Sequence, residues 1–203
     1  MAPTIAVLAV QGAFAEHELR IKQLGAEIVE LRQAADLDQD FDGLILPGGE
    51  STTQAKLLHE LGMFDELKRR IDAGLPVLAT CAGLILLAEA VDGTGDLDNL
   101  DPEAAEKRLA VKGFGTLDVT VKRNAYGRQL GSFHAEAPFK GEPLPLTFIR
   151  APRITRVGND VEVLVSYDST PVAVKQGNQI AAAFHPELDP DTRLHELFLG
   201  LCA

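Results

Sequence analysis

The chain has 203 residues, 46% hydrophobic and 24% charged, enough to fill the core of one domain over residues 1–203. These proportions exclude a disordered, collagen-like or disulfide-built chain. A formal net charge of −11 repels phosphate backbones and anionic lipid, so neither a nucleic acid nor a membrane is expected as a partner.

Thr4 to Val10 (Thr-Ile-Ala-Val-Leu-Ala-Val) is an almost unbroken apolar run, the signature of a strand buried on both faces of a parallel sheet. Gln11-Gly12 ends it. Phe14, His17, Ile21 and Leu24 then recur at helical spacing, Gly25 closes that helix, and Glu27 to Leu31 returns as a strand. Gly43 to Leu46 is a third buried strand, broken by Pro47-Gly48-Gly49. Ser51 to Leu61 and Met63 to Ala73 predict two helices divided near Gly62, with Gly74 as a C-terminal cap. Pro76 to Thr80 predicts a fourth strand and Ala82 to Ala90 a helix. Strands alternating with helices imply a three-layer α/β fold, with a mostly parallel central sheet flanked by helices.

The middle of the chain changes character. Residues 92–107 are polar and acidic and predict a surface loop or a short irregular helix. Strand patterns follow at 116–122, 129–137, 144–149, 161–167, 171–176 and 179–184, with Gly177-Asn178 as a tight hairpin. A helix over Asp191 to Leu201 closes the chain, with an apolar stripe of Leu194, Leu197 and Leu201. No apolar run approaches the ~18 residues that span a bilayer. Met1-Ala2-Pro3-Thr4 lacks the basic start of a secretion signal, and two distant cysteines make no disulfide framework. Cytoplasm is the expected compartment.

Three segments carry chemistry, all at strand ends, where open α/β sheets build their sites. In Ala79-Thr80-Cys81-Ala82-Gly83 a buried strand runs directly into a helix with Cys81 at the joint and small residues around it. A nucleophile elbow needs that arrangement. The helix N-terminus favours negative charge on the sulfur, and the Ala82 N–H can donate to an oxyanion. A buried core cysteine is the competing reading of Cys81 taken alone, at about even odds. In Phe184-His185-Pro186-Glu187, residues i and i+2 of an extended chain share a face, which points His185 and Glu187 the same way. A carboxylate there fixes the imidazole tautomer and stabilises the imidazolium. The competing reading is a surface histidine near an acid. Pro47-Gly48-Gly49-Glu50-Ser51 lets backbone N–H groups approach a developing charge, or is simply a turn with Ser51 capping the next helix. No Gly-Lys-Ser/Thr follows, so it is not a phosphate loop.

A cysteine in an elbow, a distant His-Pro-Glu and an earlier Pro-Gly-Gly resemble the class I, triad-type glutamine amidotransferases. Leu-Pro-Gly-Gly-Glu-Ser-Thr-Thr (46–53), Thr-Cys-Ala-Gly-Leu (80–84), Arg-Asn-Ala-Tyr-Gly-Arg-Gln (123–129), Phe-Ile-Arg-Ala-Pro (148–152) and Phe-His-Pro-Glu-Leu (184–188) are similar to the family of glutaminase subunits of pyridoxal 5'-phosphate synthases. The likeness runs from Val7 to the last helix. It implies a flavodoxin-like fold of the class I amidotransferase type and a Cys81–His185–Glu187 triad that hydrolyses L-glutamine through a thioester, with no cofactor and no metal.

The same resemblance implies that Gly49, Glu50, Ser51, Arg123, Ile149 and Arg150 bind glutamine. Gly49, Ala82 and Gln11 would form the oxyanion hole, completed at Gln11-Gly12 when a partner docks. That partner is a synthase subunit with a (β/α)8 barrel, in a large hetero-oligomer, which receives the ammonia. Ala79 stands where many relatives have glycine. Cys202 is assigned to packing, and His17, His59, His134 and His195 lie in no motif. The rivals are the glutaminase of histidine biosynthesis, which lacks Gly-Gly-Glu-Ser, a Cys-dependent stress or peptidase-like protein of similar fold, which lacks His-Pro-Glu, and a silent binding subunit.

Overall fold

The structure is a computed structural model that describes residues 2–92, 112–123 and 132–202. The acidic segment expected at 92–107 beyond Asp92, most of the Arg123–Gln129 motif and the start of the strand expected at 129 lie outside the described residues.

The first half alternates as the pattern predicts: β1 (Thr4–Leu8), α1 (Phe14–Gln23), β2 (Glu27–Leu31), β3 (Gly43–Leu46), α2 (Ser51–Glu60), α3 (Phe64–Asp72), β4 (Val77–Thr80) and α4 (Ala82–Leu87). A 3-10 turn over Ala34–Asp38, not anticipated, lies between β2 and β3. β3 and β4 are buried at every residue and β1 at all but Thr4. Such strands carry apolar side chains on both faces because helices cover both faces.

The helix expected over Ala82–Ala90 is two-thirds of the predicted length. It stops at Leu87, and Ala88–Asp92 is a strand, β5. The cause is tertiary. The backbone N–H of Phe114 donates to Leu86 O at 2.6 Å, taking a carbonyl the next helical turn would need. Gly113 lies so close to that carbonyl that a Cβ would sit 2.4 Å from it.

The second half supplies β6 (Leu117–Lys122), β7 (Ser132–Phe139), β8 (Glu142–Ile149), β9 (Arg153–Val157), β10 (Glu162–Tyr167), β11 (Thr170–Gln176), β12 (Gln179–Ala182) and α5 (Arg193–Leu199). β9 was not anticipated. Among the described residues the central sheet runs β10-β11-β12-β4-β3-β1-β2. It is parallel from β12 to β2 and antiparallel at the β10–β11 edge, and the Gly177-Asn178 hairpin joins β11 to β12 as expected. β5-β6-β9 and β7-β8 form two smaller sheets. No helix among the described residues is long and apolar enough to cross a membrane.

This topology decides where chemistry can happen. β12, β4, β3 and β1 are parallel neighbours, so their carboxyl ends open side by side. The segments that follow them are His185-Pro186-Glu187, Cys81, Pro47–Glu50 and Gln11-Gly12. Residues 11 to 187 in sequence thereby meet at one rim.

Candidate active site

Cys81 is the joint between β4 and α4. Its backbone has φ 48 and ψ −98, a region L-residues avoid, and holding it there stores about 1–3 kcal/mol. Two contacts enforce the turn. Cys81 N donates to Ala182 O at 2.8 Å, and Gly83 packs so tightly on β3 that a Cβ would lie 2.1 Å from Leu46 O. The thiol is buried, with Sγ 3.9 Å from Ile149 O.

His185 follows the last strand, its N–H donating to Thr147 O at 2.8 Å. Its Nδ1 donates to Glu187 Oε1 at 2.6 Å, so the second ring nitrogen, Nε2, is left for Cys81. The face shared by His185 and Glu187 does not come from an extended chain, as the spacing predicted. Pro186–Leu188 is a 3-10 turn, and Pro186, with φ fixed near the helical value, starts it. The turn brings the carboxylate back under the imidazole. The ring rests on Gly48, where a Cβ would come 2.3 Å from its Cε1, so the glycine is a steric requirement of the site.

Burial pulls the His185 pKa down. The hydrogen bond with Cys81 and the bond and charge of Glu187 outweigh it, and the pKa is pushed up to about 10. Glu187 is held below the ordinary carboxylate range: burial opposes ionisation, but His17 and His185 outweigh it.

Sequence reasoning missed His17, His195 and Thr80. All three are fully buried beneath the segments that carry Cys81, His185 and Glu187. His17 Nε2 lies 3.1 Å from Thr80 Oγ1 and 3.3 Å from Glu187 Oε2, while its Nδ1 lies 3.1 Å from His195 Nε2. Thr80 Oγ1 also accepts the Gly48 N–H at 3.0 Å. Burial lowers the pKa of both histidines, that of His195 to about 3. No local motif marks these residues, because the contacts cross up to 178 positions in sequence.

The glycine-rich rim is tied to the first loop. Gln11 Oε1 accepts the Glu50 N–H at 2.9 Å, and Gln54 Nε2 donates to both Gln11 O (2.9 Å) and Pro47 O (3.1 Å). Gly12 approaches Gly48 so closely that a Cβ would sit 1.9 Å from its oxygen. Ser51 is not the cap of α2. Glu50 is, because its longer carboxylate reaches Thr52 N (3.2 Å) and Thr53 N (2.7 Å), which puts Ser51 inside the helix. Arg123 reaches the same helix end through Thr52 Oγ1 at 3.0 Å. Ile149 ends β8 and Arg150 follows it in the left-handed region at φ 44, and Ile149 O meets the Cys81 sulfur. Ala82 is the first residue of α4. The structure therefore gathers Cys81, His185, Glu187 and Ile149 directly, and Gly49, Glu50, Ser51, Gln11 and Arg123 along the adjoining rim.

Fold and site define an α/β protein with a Cys–His–Glu constellation at the carboxyl ends of a mostly parallel sheet. Residues 7–203 match the SNO glutamine amidotransferase family, and the chain belongs to that family. A pyridoxal 5'-phosphate synthase subunit PdxT of Desulfitobacterium hafniense (strain DSM 10664 / DCB-2) is 54% identical over 197 residues, 96% of this chain and 91% of the relative. A protein of the same description from Methanocorpusculum labreanum is 49% identical over 200 residues, 98% and 97% of the two chains. A solved structure described as a glutamine amidotransferase superposes with a TM-score of 0.85 at 40% identity, covering 98% of each chain. PurLQS from Thermotoga maritima, at 15% identity and a TM-score of 0.64 over 99% and 96% of the chains, shares the fold.

Proposed function

We propose that this chain is the glutaminase subunit of a pyridoxal 5'-phosphate synthase, with Cys81, His185 and Glu187 as its catalytic triad. The observation that carries the reading is the 2.6 Å His185–Glu187 hydrogen bond, with the other ring nitrogen turned to a cysteine in a φ 48 elbow. Relatives near 50% identity over almost the whole chain carry that synthase's name.

Cys81 Sγ attacks the side-chain amide carbon of L-glutamine while the Cys81 proton resides on His185. The tetrahedral oxyanion is met by the N–H groups of Ala82 and Gly49. His185 returns a proton to the leaving nitrogen, ammonia departs, and a thioester remains. Water, deprotonated by His185, releases glutamate and restores the thiol. Glu187 keeps Nδ1 protonated throughout, so that Nε2 carries the proton. Glu50, Ser51, Ile149, Arg123 and Arg150 line the substrate, where an arginine can hold the α-carboxylate as a fork. Ammonia passes to a (β/α)8-barrel synthase subunit in a large cytoplasmic hetero-oligomer. Docking of that subunit releases Gln11-Gly12 from the Gln54 and Glu50 contacts and completes the oxyanion hole.

Glutamate release measured with and without the synthase subunit tests this. Slow hydrolysis alone and a higher kcat on addition are expected. Equal rates would remove the gating step, and no hydrolysis in either condition would overturn the glutaminase reading.

A further inference from the structure

We infer that His17 is a positioning residue for the proposed triad, holding Glu187 from the side opposite His185; the inference rests on that triad. Glu187 is 1% exposed, and its two carboxylate oxygens face different histidines. Oε1 accepts from His185 Nδ1 at 2.6 Å. Oε2 faces His17 Nε2 at 3.3 Å and has no hydrogen-bond partner among the described residues. A buried carboxylate oxygen left without a donor is costly, so the Nε2 proton belongs there.

The surrounding bonds fix the tautomer. If Nδ1 carried the His17 proton, the Nε2 lone pair would face the carboxylate and repel it. With the proton on Nε2, the ring presents a positive N–H edge to Thr80 Oγ1 and, at 3.3 Å, to Glu187 Oε2, and Nδ1 accepts from His195 Nε2–H at 3.1 Å. His195 Nδ1 is then the end of the chain, an acceptor with no partner among the described residues. An unpaired acceptor there is tolerated more readily than an unpaired buried donor.

Helix α1 grips the acid twice. Three residues beyond His17, on the same helical face, Arg20 Nε donates to the backbone carbonyl of Glu187 at 3.1 Å. Through Thr80 Oγ1 the same imidazole is joined to the Gly48 N–H, beneath the glycine on which the His185 ring rests. His17 thus links the acid, the strand that ends in the nucleophile and the glycine rim. Without it, Oε2 loses the polar group that faces it, the carboxylate rotates in its pocket, and the imidazole loses its fixed angle to Cys81. Misplacement of a reacting group on the ångström scale lowers turnover by up to about 10²-fold.

The test uses the full chain with its synthase partner and compares His17→Leu, His17→Asn and His17→Gln for glutamine hydrolysis. Asparagine places its amide nitrogen near the Nδ1 position and falls short of Glu187; glutamine reaches the Nε2 position. His17→Leu and His17→Asn should lower kcat about tenfold or more, with KM within about twofold, and His17→Gln should restore most of the loss. In NMR spectra the far-downfield proton of the His185–Glu187 bond should broaden in the first two and persist in the third. Should His17→Leu not fold, the Asn and Gln pair decides. Unchanged kcat in His17→Asn, or a Gln variant as poor as Asn, overturns the inference. A parallel Cys81→Ala arm separates the two levels: if that variant keeps its activity, the triad itself has failed, whereas an inactive Cys81→Ala beside a fully active His17→Asn removes only the role of His17.

Discussion

The two cysteines sit at opposite ends of one sheet, and their surroundings differ in every respect that matters for reactivity. Cys81 stands at the carboxyl end of β4 in a backbone conformation that lifts its side chain toward an imidazole. Cys202 lies beyond α5, against Gly43 at the amino end of β3. There its Sγ makes one contact of note, with Phe198 O at 3.4 Å, and burial pushes its thiol up to about 12. Residue type is the same; the end of the parallel strands at which it stands is not. Side by side, the parallel strands deliver backbone turns, glycines and the His–Glu pair to the carboxyl rim, while the other rim receives the apolar underside of the last helix. The sheet's polarity thus separates the settings of the two thiols.

The largest expected effect follows from that contrast. Cys81→Ala and His185→Ala should each lower glutaminase kcat by about 10³ or more, and the double variant should be scarcely worse than Cys81→Ala alone, because triad members act as a unit. Cys202→Ala should leave kcat within about twofold. Glu187→Gln comes next. It keeps the volume but alters the bond to Nδ1, so a loss smaller than that of Cys81→Ala is expected; full activity would reduce Glu187 to a structural acid. Ammonium-dependent synthesis by the partner should survive all of these changes.

A substitution at the opposite rim sharpens the comparison from the other side. Gly43→Ala would place a Cβ 2.5 Å from Cys202 Sγ and 2.7 Å from Phe198 Cζ. Overpacking of this kind costs about 1–3 kcal/mol, so denaturant unfolding should shift to lower midpoint while kcat holds. Loss of turnover without loss of stability would mean that the two rims are coupled.

The last expected effect is in the pH dependence of stability, and it leaves turnover at neutral pH untouched. His17 and His195 have lowered pKa values when folded, so below the ordinary 6.5 the unfolded chain binds protons that the native one refuses. Stability should fall from pH 6.5 toward 3. His185 is raised to about 10, so its contribution is complete below 6.5 and lost as pH rises through 10. Unfolding midpoints measured across pH should flatten on the acid side in His195→Gln and on the alkaline side in His185→Ala.

How much of this was legible beforehand follows the range of the interactions. The buried strands read correctly because two-sided burial leaves an unbroken apolar run, and β1, β3 and β4 agree with expectation to within two residues at either end. That Cys81, His185 and Glu187 stand at strand ends on one rim was legible because each sits in a short segment whose neighbours must be small or rigid. The end of α4 was not, since Ala88, Glu89 and Ala90 favour helix, and only pairing with β6 and the Phe114 bond override them. Strand β9 carried a readable signal, buried Ile154 between exposed Arg153 and Thr155, in a stretch too short to stand out between Pro152 and Gly158. His17 showed only as one member of the inward face of α1, and His195 lay in no motif. A lone histidine on a helix acquires meaning only when folding sets a carboxylate from the far end of the chain beside it.

The most direct test of the central claim is covalent labelling of the full chain with its synthase partner by an electrophilic glutamine analogue, read by peptide mass spectrometry. Modification at Cys81, protection by excess glutamine and an unmodified Cys202 are expected. Modification at Cys202 with Cys81 untouched would contradict that claim.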